Sequence, residues 1–451
     1  MVDLNLVCSA SCRNPIKDRP LRRKPCSGDL AATNGAAITT FESGTTEQAD
    51  LRGGRSPWFS HSGQHAPPAL AENLKCDALI IGAGIAGSLI AEALTRQGLD
   101  VVIIDRELPA RGSTAASTSM LLWEIDVPLT QLAEMIGFER AARSWRASLQ
   151  AVRGLQSLVA QSGVACEMRT KDSLYLAAGD SAKDLRAEHE VRQRAGLPGA
   201  FLDHKMLLDN FGIARAGAIL SPDAADADPV LLTHCLLNLA LARGARLFRA
   251  EASGFDAASQ AIAVQLEDGY QIEARHVMLA TGYVMPDIVR SGVQTVASSW
   301  AIATVPQPQN LWKDGALIWE NRKDYLYART TASGRIIIGG EDSTKVTDPD
   351  ARDALIPQKS QILAEKLAAL WPRASGEIDY RWAGTFDTTP DGLPLIGPVP
   401  GHPGIFAAYG YGGNGITFSF LAAQLIGGLI GGKSSPLLRE FAIDREVKGV
   451  G

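Results

Sequence analysis

The chain reads as an α/β protein whose two domains are visited alternately, and three observations say so. A buried strand, a helix and a second buried strand follow one another between Asp77 and Asp105. A glycine-rich loop joins the first strand to the helix, and strand-rich stretches interrupt the helical ones over the rest of the 451 residues. A βαβ unit implies a parallel sheet, and the later strands ask for a second sheet.

In chain order, Met1 to about Leu70 is broken by Pro15, Pro20, Pro25, Pro57, Pro67 and Pro68 and has neither helix nor strand period, so an irregular, disordered leader is expected. Cys8, Cys12 and Cys26 cluster there without a fourth ligand in reach, and the basic run from Arg13 to Lys24 is interrupted by Asp18. Next come the strand Asp77-Ala-Leu-Ile-Ile, the helix Ile85 to Gln97 and the strand Asp100 to Asp105. The pattern from Leu129 to Val159 predicts one helix, followed by a strand from Ser173 and a charged helix from Asp184 to Ala195. Asp228 and Pro229 are an N-cap and a first helical residue for a helix to Leu241. Strands are expected at 275–280, 296–304, 325–329 and 335–339, a helix at 357–370, and a buried core helix at 416–430.

Composition excludes several functions. Lys plus Arg is 44 against 49 for Asp plus Glu, so no nucleic-acid partner is indicated. Segment 416–430 falls short of the ~20 apolar residues of a bilayer span, and a secretory signal is not expected at the start. Six cysteines without a CxxC pair fit a reducing compartment, so a cytoplasmic location and no metal site are expected. His204, His234 and His276 have no ligand spacing.

Gly82-Ala83-Gly84-Ile85-Ala86-Gly87 lies between strand and helix, where Gly82 makes the tight turn, Gly84 lets backbone approach a pyrophosphate and Gly87 lets the helix pack close. The helix start offers free N–H groups to phosphate, and Asp105, followed by Arg106, is placed for ribose hydroxyls. Asp105 does not separate NAD from FAD. Thr281-Gly282 at a strand end and the second cluster, Gly410-Tyr411-Gly412-Gly413-Asn414-Gly415, are unneeded by a simple NAD dehydrogenase but suit a longer cofactor. The second cluster opens a helix, so its N–H groups could face the flavin pyrimidine edge.

With Arg111-Gly-Ser-Thr-Ala-Ala-Ser, Leu279-Ala-Thr-Gly, the block from Trp382 to Gly397 and Ala407 to Ile416, these residues resemble the FAD-dependent D-amino-acid oxidase superfamily, including glycine, sarcosine and gamma-glutamylputrescine oxidases, over about residues 70 to 445. The resemblance implies a Rossmann-like FAD-binding domain (71–160, 222–285 and 382–445) with an interleaved antiparallel-sheet substrate domain (161–221 and 286–381). It places Ser113, Thr114, Ala115 and Ala116 along the cofactor, and Gly412, Gly413, Asn414, Gly415 and Ile416 at the flavin ring, with Ile85 and Ala86 at the first loop. The position that best matches the family's carboxylate-gripping Arg is Phe386, which points to an amine, or to an amino acid held by another Arg. With no cysteine after Cys235 and no His in the 111–119 loop, noncovalent FAD is implied.

Tyr325, Tyr327 and Arg329 share one face of a strand, either toward the flavin as two aromatic walls and a substrate clamp, or toward solvent. No catalytic acid or base is named, because hydride can pass from a neutral amine. The expected activity is oxidation of a C–N bond of an amine or N-substituted amino acid to an imine, with oxygen as acceptor. Two alternatives stay open: a dehydrogenase serving a quinone or a protein acceptor, and a non-catalytic flavin-binding interaction protein.

Overall fold

The computed structural model describes residues 39–40, 51–58, 66–179, 181–256, 261–289, 292–320 and 325–447. All of these lie in one compact unit, Ile38–Gly451. The three leader cysteines and the leader's basic run fall outside the described residues.

Two sheets organise the molecule. In the first, five strands run parallel in the order Ile405–Tyr409, Gln271–Leu279, Leu74–Ile81, Val101–Asp105 and Arg246–Arg249. The short apolar runs become strands covered on both faces. Ala78, Ile80, Val101 and Ile103 point to one hydrophobic core, while Leu79, Ile81, Val102 and Ile104 point to the other. Helices Ile85–Arg96, Pro229–Ala242, Phe138–Ser162 and Gly415–Ile430 supply the first of these cores. The start of Gln271–Leu279 also pairs antiparallel with Ile262–Leu266, which pairs with Ala252–Asp256 to cover the second core.

The second sheet, among the described residues, runs Arg52–Arg55, Ile378–Thr388, Thr295–Thr304, Ile336–Ser343, Leu326–Thr330, Leu317–Glu320, Arg169–Leu176, Gly217–Asp226 and Met120–Leu121. All its pairings are antiparallel except that of Leu317–Glu320 with Arg169–Leu176. Helix Ile356–Leu370 packs on one face against Trp300, Ile302, Leu326, Ala328, Ile336 and Ile338. The opposite face, carrying Ser299, Ala301 and Tyr327, lines a cavity shared with the loops of the first sheet.

Several expectations need correcting. Residues 52–55, assigned to the irregular leader, form a strand that pairs with Ile378–Thr388. The helix expected over 129–159 is two helices, Leu129–Ile136 and Phe138–Ser162, because Gly137 at φ 87° and ψ 145° breaks the hydrogen-bond ladder between them. Residues 382–388, grouped with the first sheet, continue a strand of the second, and so do 120–121 and 222–226. Helix Gly415–Ile430 is the buried core helix expected. Gly412–Ile430 has the length and apolarity of a membrane span, but most of it is buried inside the protein.

Candidate active site

One cavity of about 380 Å³ runs from the first glycine loop to the free face of the second sheet, a volume ordinary for small-molecule sites. At its near end Gly82 takes φ 110°, and the backbone of Gly87 approaches so closely that a Cβ there would lie 1.9 Å from the Gly82 carbonyl oxygen. Helix Ile85–Arg96 has no side-chain cap at Gly84. The Ile85 N–H donates to Thr114 Oγ1 at 3.1 Å. Asp105 Oδ2 accepts from Ala83 N at 2.7 Å and Oδ1 from Glu107 N at 2.9 Å. Burial nevertheless pushes the Asp105 carboxyl up to about 6, because these two N–H groups only partly offset desolvation.

Loop 111–117 is strapped by residues of the presumed leader. Arg52 Nε donates to the Arg111 carbonyl, Ser56 Oγ to the Ala115 carbonyl at 2.6 Å and Trp58 Nε1 to the Ser117 carbonyl at 2.8 Å. From the second sheet, Trp382 Nε1 donates to the Ala116 carbonyl at 2.8 Å. Leu51 and Arg52 thereby join the cavity wall. The Ser113 hydroxyl, on the same wall, is buried without a hydrogen-bond partner.

The second glycine cluster forms a single 3-10 turn, Gly412–Asn414, between strand Ile405–Tyr409 and helix Gly415–Ile430. Loop 122–126 ties it down: Asn414 Nδ2 donates to the Glu124 carbonyl and Thr417 Oγ1 to the Leu122 carbonyl, both at 2.8 Å. The Gly413 N–H donates to Asp126 Oδ2 at 2.7 Å, so a protein carboxylate already takes this donor, which sequence reasoning offered to the flavin. A Cβ on Gly412 would stand 2.3 Å from the same oxygen. The Asp126 side chain is exposed within the cavity, and desolvation by the surrounding protein, with help from the Asp342 charge, raises its carboxyl to about 6.

At the far end stand Trp319, Tyr325, Tyr327, Asp342 and Phe386. Tyr325 Oη donates to Asp342 Oδ2 at 2.7 Å, and Tyr327 Oη lies 3.1 Å from Ser299 Oγ. Trp319 stacks on Tyr175 with centroids 3.8 Å apart. Asp387, fully buried, accepts from Gly410 N at 3.1 Å and Gln294 Nε2, which links the second sheet to the second glycine turn. Burial pushes its carboxyl up to about 7.

Across residues 77–429 the chain matches the family model described as FAD dependent oxidoreductase, DAO. The chain belongs to this family. It is an FAD-dependent oxidoreductase, and its cofactor is FAD. Gamma-glutamylputrescine oxidoreductase from Escherichia coli is 24% identical over 401 residues, covering 84% of this flavoenzyme and 89% of its relative. The fold is similar to glycine oxidase from Geobacillus kaustophilus, with a TM-score of 0.69 at 21% identity over 83% of this chain and 100% of that one. L-proline dehydrogenase from P. horikoshii gives a TM-score of 0.70 at 20% identity, over 83% and 98%.

The flavoenzyme's residues fit the cofactor: a glycine cradle at a helix start whose N-cap, Gly84, has no side chain, a carboxylate at the second strand end, and the orphaned Ser113 hydroxyl between them. Of the candidates, Gly82, Gly84, Ile85, Ala86, Asp105, Arg106, Ser113, Thr114, Ala116, Thr281, Gly282, Gly412, Gly413, Asn414, Gly415 and Ile416 line the cavity. Gly87 acts behind it through close packing, and the Ala115 side chain is buried beside Trp58 and Trp382. Tyr325, Tyr327 and Phe386 line the far end.

Arg329 corrects the alternative of a substrate clamp or a solvent face, for it is neither. It is buried, pairs with Asp226 at 3.6 Å, and donates to the carbonyls of Thr118, Ser119 and Ala227 at 3.0, 2.7 and 3.0 Å. A guanidinium so committed braces the loop before Met120 and does not reach into the cavity. Sequence reasoning missed Leu51, Arg52, Asp126, Ser299, Trp319 and Asp342, which sit in segments with no motif spacing. Among the described residues no cluster of His, Cys, Asp or Glu could hold a metal ion.

Proposed function

We propose that this flavoenzyme oxidises a C–N bond of an amine, or of an N-substituted amino acid, to an imine that water then hydrolyses, with oxygen as the electron acceptor. The observation that carries the reading is the single cavity joining the FAD cradle to an aromatic and acidic wall on the second sheet. Bound FAD supplies the two-electron acceptor for hydride. Backbone at Gly82 to Ala86 and the helix start are assigned to the pyrophosphate, and Asp105 to the ribose hydroxyls. Ser113, Thr114 and the second glycine turn are assigned to the rest of the cofactor. Phe386, Tyr325, Tyr327 and Trp319 exclude water and orient the C–H bond. The first sheet with its helices acts as the cofactor domain, and the second sheet as the substrate domain.

The names of gamma-glutamylputrescine oxidoreductase and glycine oxidase support amine or amino-acid chemistry. The test is product analysis. Turnover of an active amine should release a carbonyl compound and the freed nitrogen, with one hydrogen peroxide per amine consumed. Peroxide-free turnover that requires a quinone would replace oxygen as the acceptor, and failure to find the carbonyl product with any amine or amino acid would overturn the reading.

A further inference from the structure

Strand Ile336–Ser343 does not keep its alternation. Ser298 pairs with Ser343 and Trp300 with Gly340, so the lone Ser299 opposes two residues, Glu341 and Asp342. By strict period two, Asp342 would follow Ile338 and Gly340 onto the face covered by helix Ile356–Leu370. The bulge reverses this parity. Glu341 turns to Lys359 and Lys366 on that helix, and Asp342 enters the cavity wall. Glu341 adopts φ 62° to do so, a conformation that a residue with a Cβ reaches only at a cost.

The carboxylate so delivered is incompletely used. Asp342 Oδ2 accepts Tyr325 Oη and the Ser299 hydroxyl stands against the same carboxylate, whereas Oδ1 is shut off from solvent and has no well-formed hydrogen bond. Tyr325 and Tyr327, with centroids 5.9 Å apart, and Trp319 stand beside it on the same wall, and Asp126 faces the cavity as a second carboxylate. From Thr295 onward the described lining residues include no Lys or Arg, and the cavity's three arginines, Arg52, Arg106 and Arg111, belong to the segments around the first loop. A carboxylate beside aromatic faces, whose described cationic neighbour Lys366 is already paired with Glu341, is the chemistry that holds an ammonium group.

Resting on the amine-oxidising reading, we propose that Asp342 anchors a cationic nitrogen of the substrate remote from the nitrogen being oxidised, so that the substrate class is carboxylate-free amines carrying a second positive charge. The two nitrogens are kept distinct because hydride leaves from beside a neutral amine, which a carboxylate partner would oppose.

The test measures equilibrium binding to the FAD-loaded protein by perturbation of its flavin spectrum. The probes are straight-chain α,ω-diamines of three to six carbons, with the matching monoamines and ω-amino acids. The diamine should bind roughly 10- to 100-fold tighter than the ω-amino acid of the same length, and Asp342→Asn should erase most of that ratio, with Asp342→Glu retaining part of it. Equal binding of diamine and ω-amino acid, or an unchanged ratio in folded Asp342→Asn, overturns the assignment. If Asp342→Asn does not yield folded holoprotein, the wild-type ratio and Tyr325→Phe decide. A diamine preference lost in Asp342→Asn, with no amine reducing the flavin, would overturn the oxidation reading while leaving the cation site standing. Oxidation with an unchanged ratio would do the reverse.

Discussion

Arg329 loses the role the sequence offered it, whereas Phe386 keeps its place on the cavity wall. Sequence offered Arg329 as a substitute carboxylate clamp, but its guanidinium is spent on Asp226 and three carbonyls. Arg329→Met should destabilise the holoprotein by about 3–5 kcal/mol, because it leaves a buried carboxylate and several carbonyls short of a partner. Denaturant unfolding checks this, and the ratio of KM values for an amine and its matched amino acid should not move. Phe386 lines the far end of the cavity. Phe386→Arg should shift relative KM toward carboxylate-bearing amines by on the order of tenfold, the worth of a charge-assisted pair. An equal effect on every substrate would remove Phe386 from the substrate wall. The period-2 reading of Tyr325 and Tyr327 holds, whereas Asp342 was illegible because a bulge, which no local pattern announces, decides its face.

At the scale of elements, the first βαβ unit was legible because every device in it is local: apolar strands, a glycine turn, a helix and an acid at the next strand end. Its glycines are not interchangeable. Gly87→Ala puts a methyl into the Gly82 carbonyl and should cost about 1–3 kcal/mol of stability together with FAD affinity. At Gly84 the nearest atom is Thr114 Oγ1 at 3.1 Å, so Gly84→Ala should fold normally yet bind FAD roughly tenfold more weakly. Thermal unfolding of the apoprotein and FAD titration separate the two. The strand Arg52–Arg55 was illegible because Arg-Gly-Gly-Arg has no hydrophobic period, and its pairing partner lies more than three hundred residues away. Helix Phe138–Ser162 was read through Gly137, since a single glycine interrupts the ladder without disturbing the apolar pattern on either side.

The whole molecule brings desolvated carboxyls to and around its cavity, and its pH response should follow from them. Desolvation raises Asp105 and Asp126 to about 6 and Asp387 to about 7, against an unfolded value near 4. The folded apoprotein therefore keeps protons that the unfolded chain has released. This contribution to stability is complete below about 4 and is lost as pH rises through 6 to 7. Wild-type apoprotein should lose stability relative to Asp387→Asn between pH 5 and about 8. His189, His234 and His276, held below their ordinary value by burial, pull the other way as pH falls. The readout is therefore the difference between variant and wild-type unfolding curves, and a difference that does not change with pH would contradict it. The alternation of the chain between two sheets was legible as a switch from one pattern to another. The positions of the switches were not, because strands such as Ile378–Thr388 run past the motifs they carry.

The proposed function stands on FAD and an amine meeting in this one cavity. Anaerobic titration of the FAD-loaded enzyme with a carboxylate-free diamine tests it most directly. The expected result is stoichiometric bleaching of the flavin absorbance by the diamine, and much weaker bleaching by the ω-amino acid of equal length. Flavin that stays fully oxidised with every amine and amino acid offered, in protein shown to bind FAD, would contradict it.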